Sequence, residues 1–336
     1  MKNRKINRAV FWVRLTLITV YLLILIGGIV RATGSGMGCP DWPKCFGLLV
    51  PPTQESEIRF NATASYEKGM MVIQNDTLWV SKIKHAGSQG FIRANWMKYP
   101  KHDYAVFNVF QTWTEYLNRL FGALTGLFVF ITLLLALSLI KSHIVFFVFS
   151  LLLLLLTGFQ GWLGALVVDY HLAPLRITVH MITALAMVAL LILMQARISP
   201  VTKASASGLT LFIYGFLFLL VLQVVFGTQV RQEVDVWMKG LVNIPENWTE
   251  HLSNIFNLHR LMAALLFFLG VFIFYRSAGL VNATYERNLL ILLALEGLAG
   301  MILSGLSLPN LLQPIHLLFS ALLFGTAFRL ALSVKT

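Results

Sequence analysis

Charge is what this chain has least of. Only 12% of its 336 residues are Asp, Glu, Lys or Arg, with 14 acidic against 26 basic, while 57% are hydrophobic. A soluble domain has no use for so much apolar surface, so the composition excludes one and indicates a polytopic membrane protein. Cysteine is also scarce, with Cys39 and Cys45 the two present. Two thiols without a His-x-x-His or clustered carboxylates do not build a tetrahedral zinc site. A small-residue cleavage pattern is missing after the first apolar run, although Lys2, Arg4, Lys5 and Arg8 precede it. That run therefore reads as a spanning helix rather than a signal peptide.

Long apolar runs dominate what is there. A helix of about 20 apolar residues crosses a bilayer core of about 30 Å. Eight segments qualify, near 11–31, 118–140, 144–168, 175–196, 208–229, 256–275, 288–308 and 312–333. The third and fourth are joined by a polar stretch around Asp169-Tyr170-His171, the seventh and eighth by a turn at Pro309-Asn310. The fold class is all-α. The basic N-terminus places itself in the cytoplasm, and eight spans return the C-terminus there. Lys141, Arg197, Lys203, Arg276, Arg287 and Lys335 fall on the same side. The net charge of +12 is then topology and lipid contact, with no nucleic-acid role. On the outer side lie a long loop, about 32–117, and a medium one, about 230–255. The long loop mixes charge, Gly and Pro with Trp79, Trp96 and Trp113. It predicts a small lid with one or two interfacial helices.

The chain repeats itself. "HMITAL" from His180 and "HLLFSAL" from His316 are separated by 136 positions, as are Gln160-Gly161 and Glu296-Gly297. Asn118 and His259, each followed by Arg-Leu, are separated by 141, and Val30-Arg31 and Val230-Arg231 by 200. Helices 1–4 thus map in order onto 5–8, giving an N-terminal half, 1–196, and a C-terminal half, 197–336. Four intervening spans keep the copies in one orientation, a parallel repeat about an axis along the membrane normal.

Asn118, His180, His259 and His316 all fall in the first turns of spans entered from the outer side. Each is followed four residues later by a small side chain: Gly122, Ala184, Ala263 and Ser320. Positions i and i+4 share a helix face, so a flat macrocycle has room beside each histidine. Two such helices facing each other give bis-histidine heme ligation, His259 with His316. In the N-terminal half His180 faces Asn118, and an amide is a poor iron ligand. The asymmetry suggests one heme fixed as an electron carrier and another with an exchangeable sixth position.

Several stretches resemble the heme A synthase family: "GGIVRATGSGMGCPDWPKCFG" (27–47), "EYLNRLFGALTG" (115–126), "TVHMITAL" (178–185), "HRLMAAL" (259–265) and "IHLLFSAL" (315–322). The resemblance covers all eight spans. It implies an integral membrane enzyme that oxidises the C8 methyl of heme O to a formyl group through successive hydroxylations, for cytochrome oxidase assembly. It implies two four-helix bundles, with heme b on His259 and His316 and the substrate heme O on His180. The family pattern is Glu-x-x-His-Arg, and this chain has Glu-Tyr-Leu-Asn-Arg at 115–119, which bears on bis-histidine ligation of heme O. The matching acid is Glu115, a carboxylate near the reacting methyl that moves protons or stabilises a developing cation. Without the resemblance, Glu115 reads equally well as an interfacial acid near a helix N-terminus.

Arg119 and Arg260 follow the paired positions and either pair with heme propionates or snorkel to the surface, as do Arg31 and Arg231. Glu296 is an intramembrane carboxylate, either hydrogen-bonded between helices or delivering protons near heme b. Cys39 and Cys45 face an oxidising compartment and predict a disulfide, first as a staple for the lid; the resemblance adds a redox role. His85, His102, His143, His171 and His251 read as solvated and stay outside the site. A membrane b-type cytochrome exchanging electrons with quinone, or a heme-handling carrier, are the rival classes. The first calls for two complete histidine pairs, and the second for broken helices near the midplane. Expected partners are heme O, a heme O synthase, an electron acceptor and membrane lipid; a homo-oligomer is compatible with the sequence. The expected location is the bacterial cytoplasmic membrane, with the heme sites toward the outer side.

Overall fold

In hydrocarbon every backbone N–H and C=O must be satisfied within the chain, so long apolar runs become helices. A computed structural model describes residues 2–100, 107–169, 174–199, 204–205, 207–238, 248–277, 283–306 and 308–335. Its eight long helices are α1 (Lys2–Ala32), α2 (Val109–Ser138), α3 (Ile144–Asp169), α4 (Pro174–Ile198), α5 (Ser207–Trp237), α6 (Asn254–Ser277), α7 (Ala283–Gly305) and α8 (Leu312–Leu332). All eight are long and apolar enough to cross a membrane. Pro174 opens α4 and Pro314 sits in the first turn of α8, where a missing N–H costs no helical bond. Asn108 caps α2, its Oδ1 accepting the Gln111 amide at 3.1 Å.

Three helices outrun their apolar cores. Helix α1 starts at Lys2 rather than near 11, α2 at Val109 rather than near 118, and α5 continues to Trp237. Polar residues extend a helix wherever water or a folded loop receives them, so an apolar run marks only the buried length. Asn118 therefore lies deeper into its own helix than His180, His259 or His316 lie in theirs.

The helices pack in two rings of four. Helices α1, α2, α3 and α4 contact in that order and α4 closes back on α1; α5, α6, α7 and α8 do the same. Contacts α1–α8, α4–α5 and α4–α8 join the rings, and α4 and α8 are the most deeply buried spans. Along one seam Gly28 faces Pro314 so closely that a Cβ at Gly28 would stand 2.9 Å from the proline Cβ. Along the other, the Thr178 and Thr228 hydroxyls bond at 2.8 Å.

The segment between α1 and α2 is built differently from the helical lid expected of it. Its described residues form five short strands: β1 (Ser65–Tyr66), β2 (Met71–Gln74), β3 (Thr77–Ser81), β4 (His85–Ala86) and β5 (Trp96–Lys98). Strands β2, β3 and β5 make an antiparallel sheet in that order, and β1 pairs with β4. Asn75 and Asp76, both at positive φ, turn the β2–β3 hairpin, the conformation such two-residue turns require. The remaining helical pieces here are single 3₁₀ turns. Ile58, Met71, Ile73, Leu78 and Tyr99 bury against the Cys39–Cys45 disulfide, giving this segment its own small core. His85 is not solvated: it is buried, stacked on Tyr66 and edge-on to Trp96. His102 and His171 lie outside the described residues.

Candidate functional site

In the C-terminal ring α6 and α8 stand on a diagonal, and they carry His259 and His316. Both imidazoles bury Nδ1 without a hydrogen-bond partner, while each residue as a whole stays half-buried. They lie within electrostatic range of each other. Glycines line them: a Cβ at Gly227 would stand 3.1 Å from His259 Cε1, and one at Gly300 3.6 Å from His316 Cε1. Gln223 donates from Nε2 to the His259 carbonyl at 3.0 Å, fixing that turn of α6 against α5. On α7, Glu296 Oε2 lies 3.2 Å from His316 Nδ1, close but not aligned for a hydrogen bond. Two half-buried rings on diagonal helices, with glycine beside each and a carboxylate behind one, fit a planar iron macrocycle. A carboxylate behind a ligating imidazole orients the ring and raises its basicity.

The N-terminal ring sets Asn118 on α2 across the diagonal from His180 on α4. Gln160 donates from Nε2 to the His180 carbonyl at 3.0 Å, so α3 touches α4 at the level where α7 touches α8. Here the contact is to main chain, and His180 Nδ1 is buried with no partner. Asn118 Oδ1 is likewise buried and unpaired. Among the described residues, no atom beyond the helix's own local turn lies within 4 Å of where a Cβ on Gly27 or Gly122 would be.

One turn before Asn118 stands a built ionic clamp. Glu115 is 4% exposed; its Oε2 accepts the Cys39 amide at 2.8 Å and its Oε1 pairs with Arg119 Nη2. Arg119 Nη1 donates to the carbonyls of Asp41 (2.8 Å) and Lys44 (2.9 Å). Thr112 donates to the Gly38 carbonyl at 2.8 Å, and a Cβ on Gly38 would stand 2.5 Å from the Gln111 carbonyl. Apart from the Glu115–Arg119 pair, which lies within α2, these contacts tie residues 38–44 to the first turns of α2. Burial raises the Asp41 carboxyl above its ordinary value, partly offset by the Gly47 amide, which donates to Oδ2 at 3.0 Å, and by Arg119.

The other arginines have partners of their own. Arg31 and Arg231 share one carboxylate, Asp235, at 2.6 and 2.8 Å, joining α1 to α5. Arg260 lies over the Phe256 ring at 5.6 Å. Asp235, Thr112, Gln223 and Gly227 had no place in the sequence reading, yet each holds a candidate residue. A signal for Gly227 was present, because Gly27 and Gly227 keep the separation of 200 set by Val30-Arg31 and Val230-Arg231.

Curated relatives resemble the chain over most of its length. A heme A synthase of Shewanella oneidensis is 27% identical over 245 residues, covering 71% of this chain and 62% of that protein. One from Wolbachia sp. subsp. Brugia malayi is 24% identical over 362 residues, covering 97% and 96%. Another, from Wolbachia pipientis wMel, is 24% identical over 345 residues, covering 94% and 89%. The model of a family of cytochrome oxidase assembly proteins matches residues 10–86 and 87–328, nearly the whole helical frame described above. The chain belongs to that family, COX15-CtaA.

Proposed function

We propose that the chain is a heme A synthase, a multi-pass membrane oxidoreductase converting heme O to heme A by oxidising the C8 methyl to a formyl group. The observation that carries this reading is the facing pair His259 and His316, glycine-lined and backed by Glu296, in a COX15-CtaA chain whose relatives bear that name. In this reading His259 and His316 would hold the iron of heme b, and Arg260 stands beside that site. Heme b, when bound, supplies one-electron transfer. His180 holds the substrate heme O, with Asn118 across from it and Arg119 ordering the loop above. Glu115 is the acid of the substrate site. Its two oxygens each spend one lone pair on the clamp, leaving acceptor capacity for protons released as the methyl is oxidised.

The halves 1–196 and 197–336 are read as parallel repeats. Two pairs of contacts support this: Gln160–His180 matches Glu296–His316, and the Gly28–Pro314 seam matches Thr228–Thr178, each at the separations of 136 and 200. Positive charge at the inner loops supports an N-in, C-in topology. The heme sites then lie toward the outer face of a bacterial cytoplasmic membrane, under the disulfide-bonded segment. A heme O synthase that delivers substrate and an electron acceptor complete the partners.

Chromatography of hemes extracted from cells making this chain together with a heme O synthase tests the reading. Heme A is expected from the wild type and none from His316→Ala, with hydroxylated intermediates in weaker variants. Heme b alone, with heme O left unconverted by the wild type, would replace the synthase with an electron-transfer cytochrome.

A further inference from the structure

The two rings differ at one pair of positions in a way that leaves space. In the C-terminal ring the His259 imidazole fills the gap above Gly227, so that even a methyl on that glycine would stand 3.1 Å from Cε1. Gly27 occupies the matching place on α1, and there, among the described residues, a methyl would meet nothing within 4 Å beyond the helix's own local turn. The side chain at 118 is an amide, shorter than imidazole, and its buried Oδ1 has no partner. A buried amide oxygen without a partner is costly, and an amide offers both a donor and an acceptor to whatever small group enters beside it. Across the diagonal, His180 Nδ1 is buried without a hydrogen-bond partner, as His316 Nδ1 is, but among the described residues only His316 has a carboxylate, Glu296, at 3.2 Å.

We infer that the N-terminal ring is a one-histidine site with a pocket for a small exogenous ligand, bounded by Asn118 and Gly27 and facing His180. The inference rests on the reading of this ring as the substrate-heme site. His180 would hold the iron from one side. The space that a second imidazole would fill admits a ligand the size of water, carbon monoxide or a single imidazole, and the Asn118 amide hydrogen-bonds to it. In the C-terminal ring the His259 imidazole occupies the corresponding place beside Gly227. Asn118 is thus a binding residue for the sixth-position ligand and not itself an iron ligand.

The test uses the full-length protein purified from cells that also make heme O, with carbon monoxide and imidazole as probes and electron paramagnetic resonance and infrared absorption as readouts. Two hemes per chain are expected, one low-spin and inert to carbon monoxide, the other high-spin and binding it. Imidazole converts the second to low-spin. Asn118→His makes it low-spin without imidazole and blocks carbon monoxide, because Gly27 leaves room for the added ring. Asn118→Ala keeps the site open to both probes but raises the C–O stretching frequency, since the amide donor is gone. Two low-spin hemes inert to carbon monoxide in the wild type overturn the inference and leave the two-heme reading standing. An unmoved C–O band in Asn118→Ala removes the amide from the pocket. One heme per chain in the wild type and in both variants overturns the substrate-heme reading and the inference with it.

Discussion

In the proposed reading the C-terminal ring is a finished heme site and the N-terminal ring an unfinished one. Both place two polar residues on diagonal helices, and both use a glutamine to tie a candidate helix to its neighbour through a main-chain carbonyl: Gln223 to His259, Gln160 to His180. The C-terminal ring then adds a second imidazole, a glycine fitted under it and a carboxylate behind His316. The N-terminal ring adds none of these near His180. It invests instead at its rim, where Glu115 and Arg119 hold the disulfide loop through three main-chain groups. Permanent ligation and substrate exchange ask for these opposite designs. A resident cofactor gains from rigid, paired ligands with second-sphere support, whereas a substrate that must leave gains from fewer bonds to iron and an ordered entrance.

The largest effect comes from erasing the difference. His259→Asn gives α6 the residue that α2 has, and the low-spin signal of the cofactor heme is expected to disappear, along with heme A formation. Losing a second-sphere partner alone costs about 10- to 100-fold in metal affinity or activity, so losing the ligand exceeds that. Low-temperature electron paramagnetic resonance of the purified variant decides it. An unchanged low-spin spectrum ends the assignment of His259.

Exchanging the residues behind the two α-carried histidines probes the next layer. Glu296→Gln gives α7 the residue of α3. If heme b sits on His316 as proposed, a carboxylate near Nδ1 would stabilise the oxidised, more positive iron, so its removal is expected to raise the midpoint potential and weaken heme retention about 10-fold. Gln160→Glu, the reverse exchange, leaves that potential where it was. A redox titration in which Gln160→Glu moves heme b as far as Glu296→Gln does would dissolve the pairing of Glu296 with His316.

Much of the helical frame is legible in the sequence. Eight apolar runs are long enough that the number and order of the spans follow from hydropathy alone. The β-fold of residues 65–98 was not legible, because strands of two to five residues carry too little alternation to separate from loop. Asp235 was hidden for a different reason. The apolar run of α5 ends near 229, so Asp235 fell into a supposed loop, although the helix continues and carries it to Arg31 and Arg231. The Glu115–Arg119 pair has i, i+4 spacing and could be read as a helix-surface pair. Its grip on Cys39, Asp41 and Lys44 depends on how a distant loop folds back, which no local pattern records.

The smallest effects lie at the two seams, and they separate repeat ancestry from repeat energetics. At one seam the backbone approach is the contact: Gly28→Ala drives a Cβ to 2.9 Å from that of Pro314, neither end of which can swing aside. Overpacking of this kind costs about 1–3 kcal/mol. At the other seam the contact is a hydroxyl pair, and Thr228→Ala removes one polar bond between helices, worth about 0.6 kcal/mol on average in a membrane. Thermal unfolding of the two variants in the same detergent is therefore expected to lower the midpoint more for Gly28→Ala than for Thr228→Ala. Equal shifts would mean that both seams carry the same load and that close packing at α1–α8 contributes nothing beyond what a hydroxyl pair does at α4–α5. The ordering matters for function because α8 carries His316 and α1 carries Gly27. A displaced α1–α8 seam moves the proposed heme ligand His316 in one ring and the wall of the inferred pocket in the other, while the α4–α5 seam, with His180 and Gly227 on its two sides, is expected to tolerate the loss of a hydroxyl without moving its backbone.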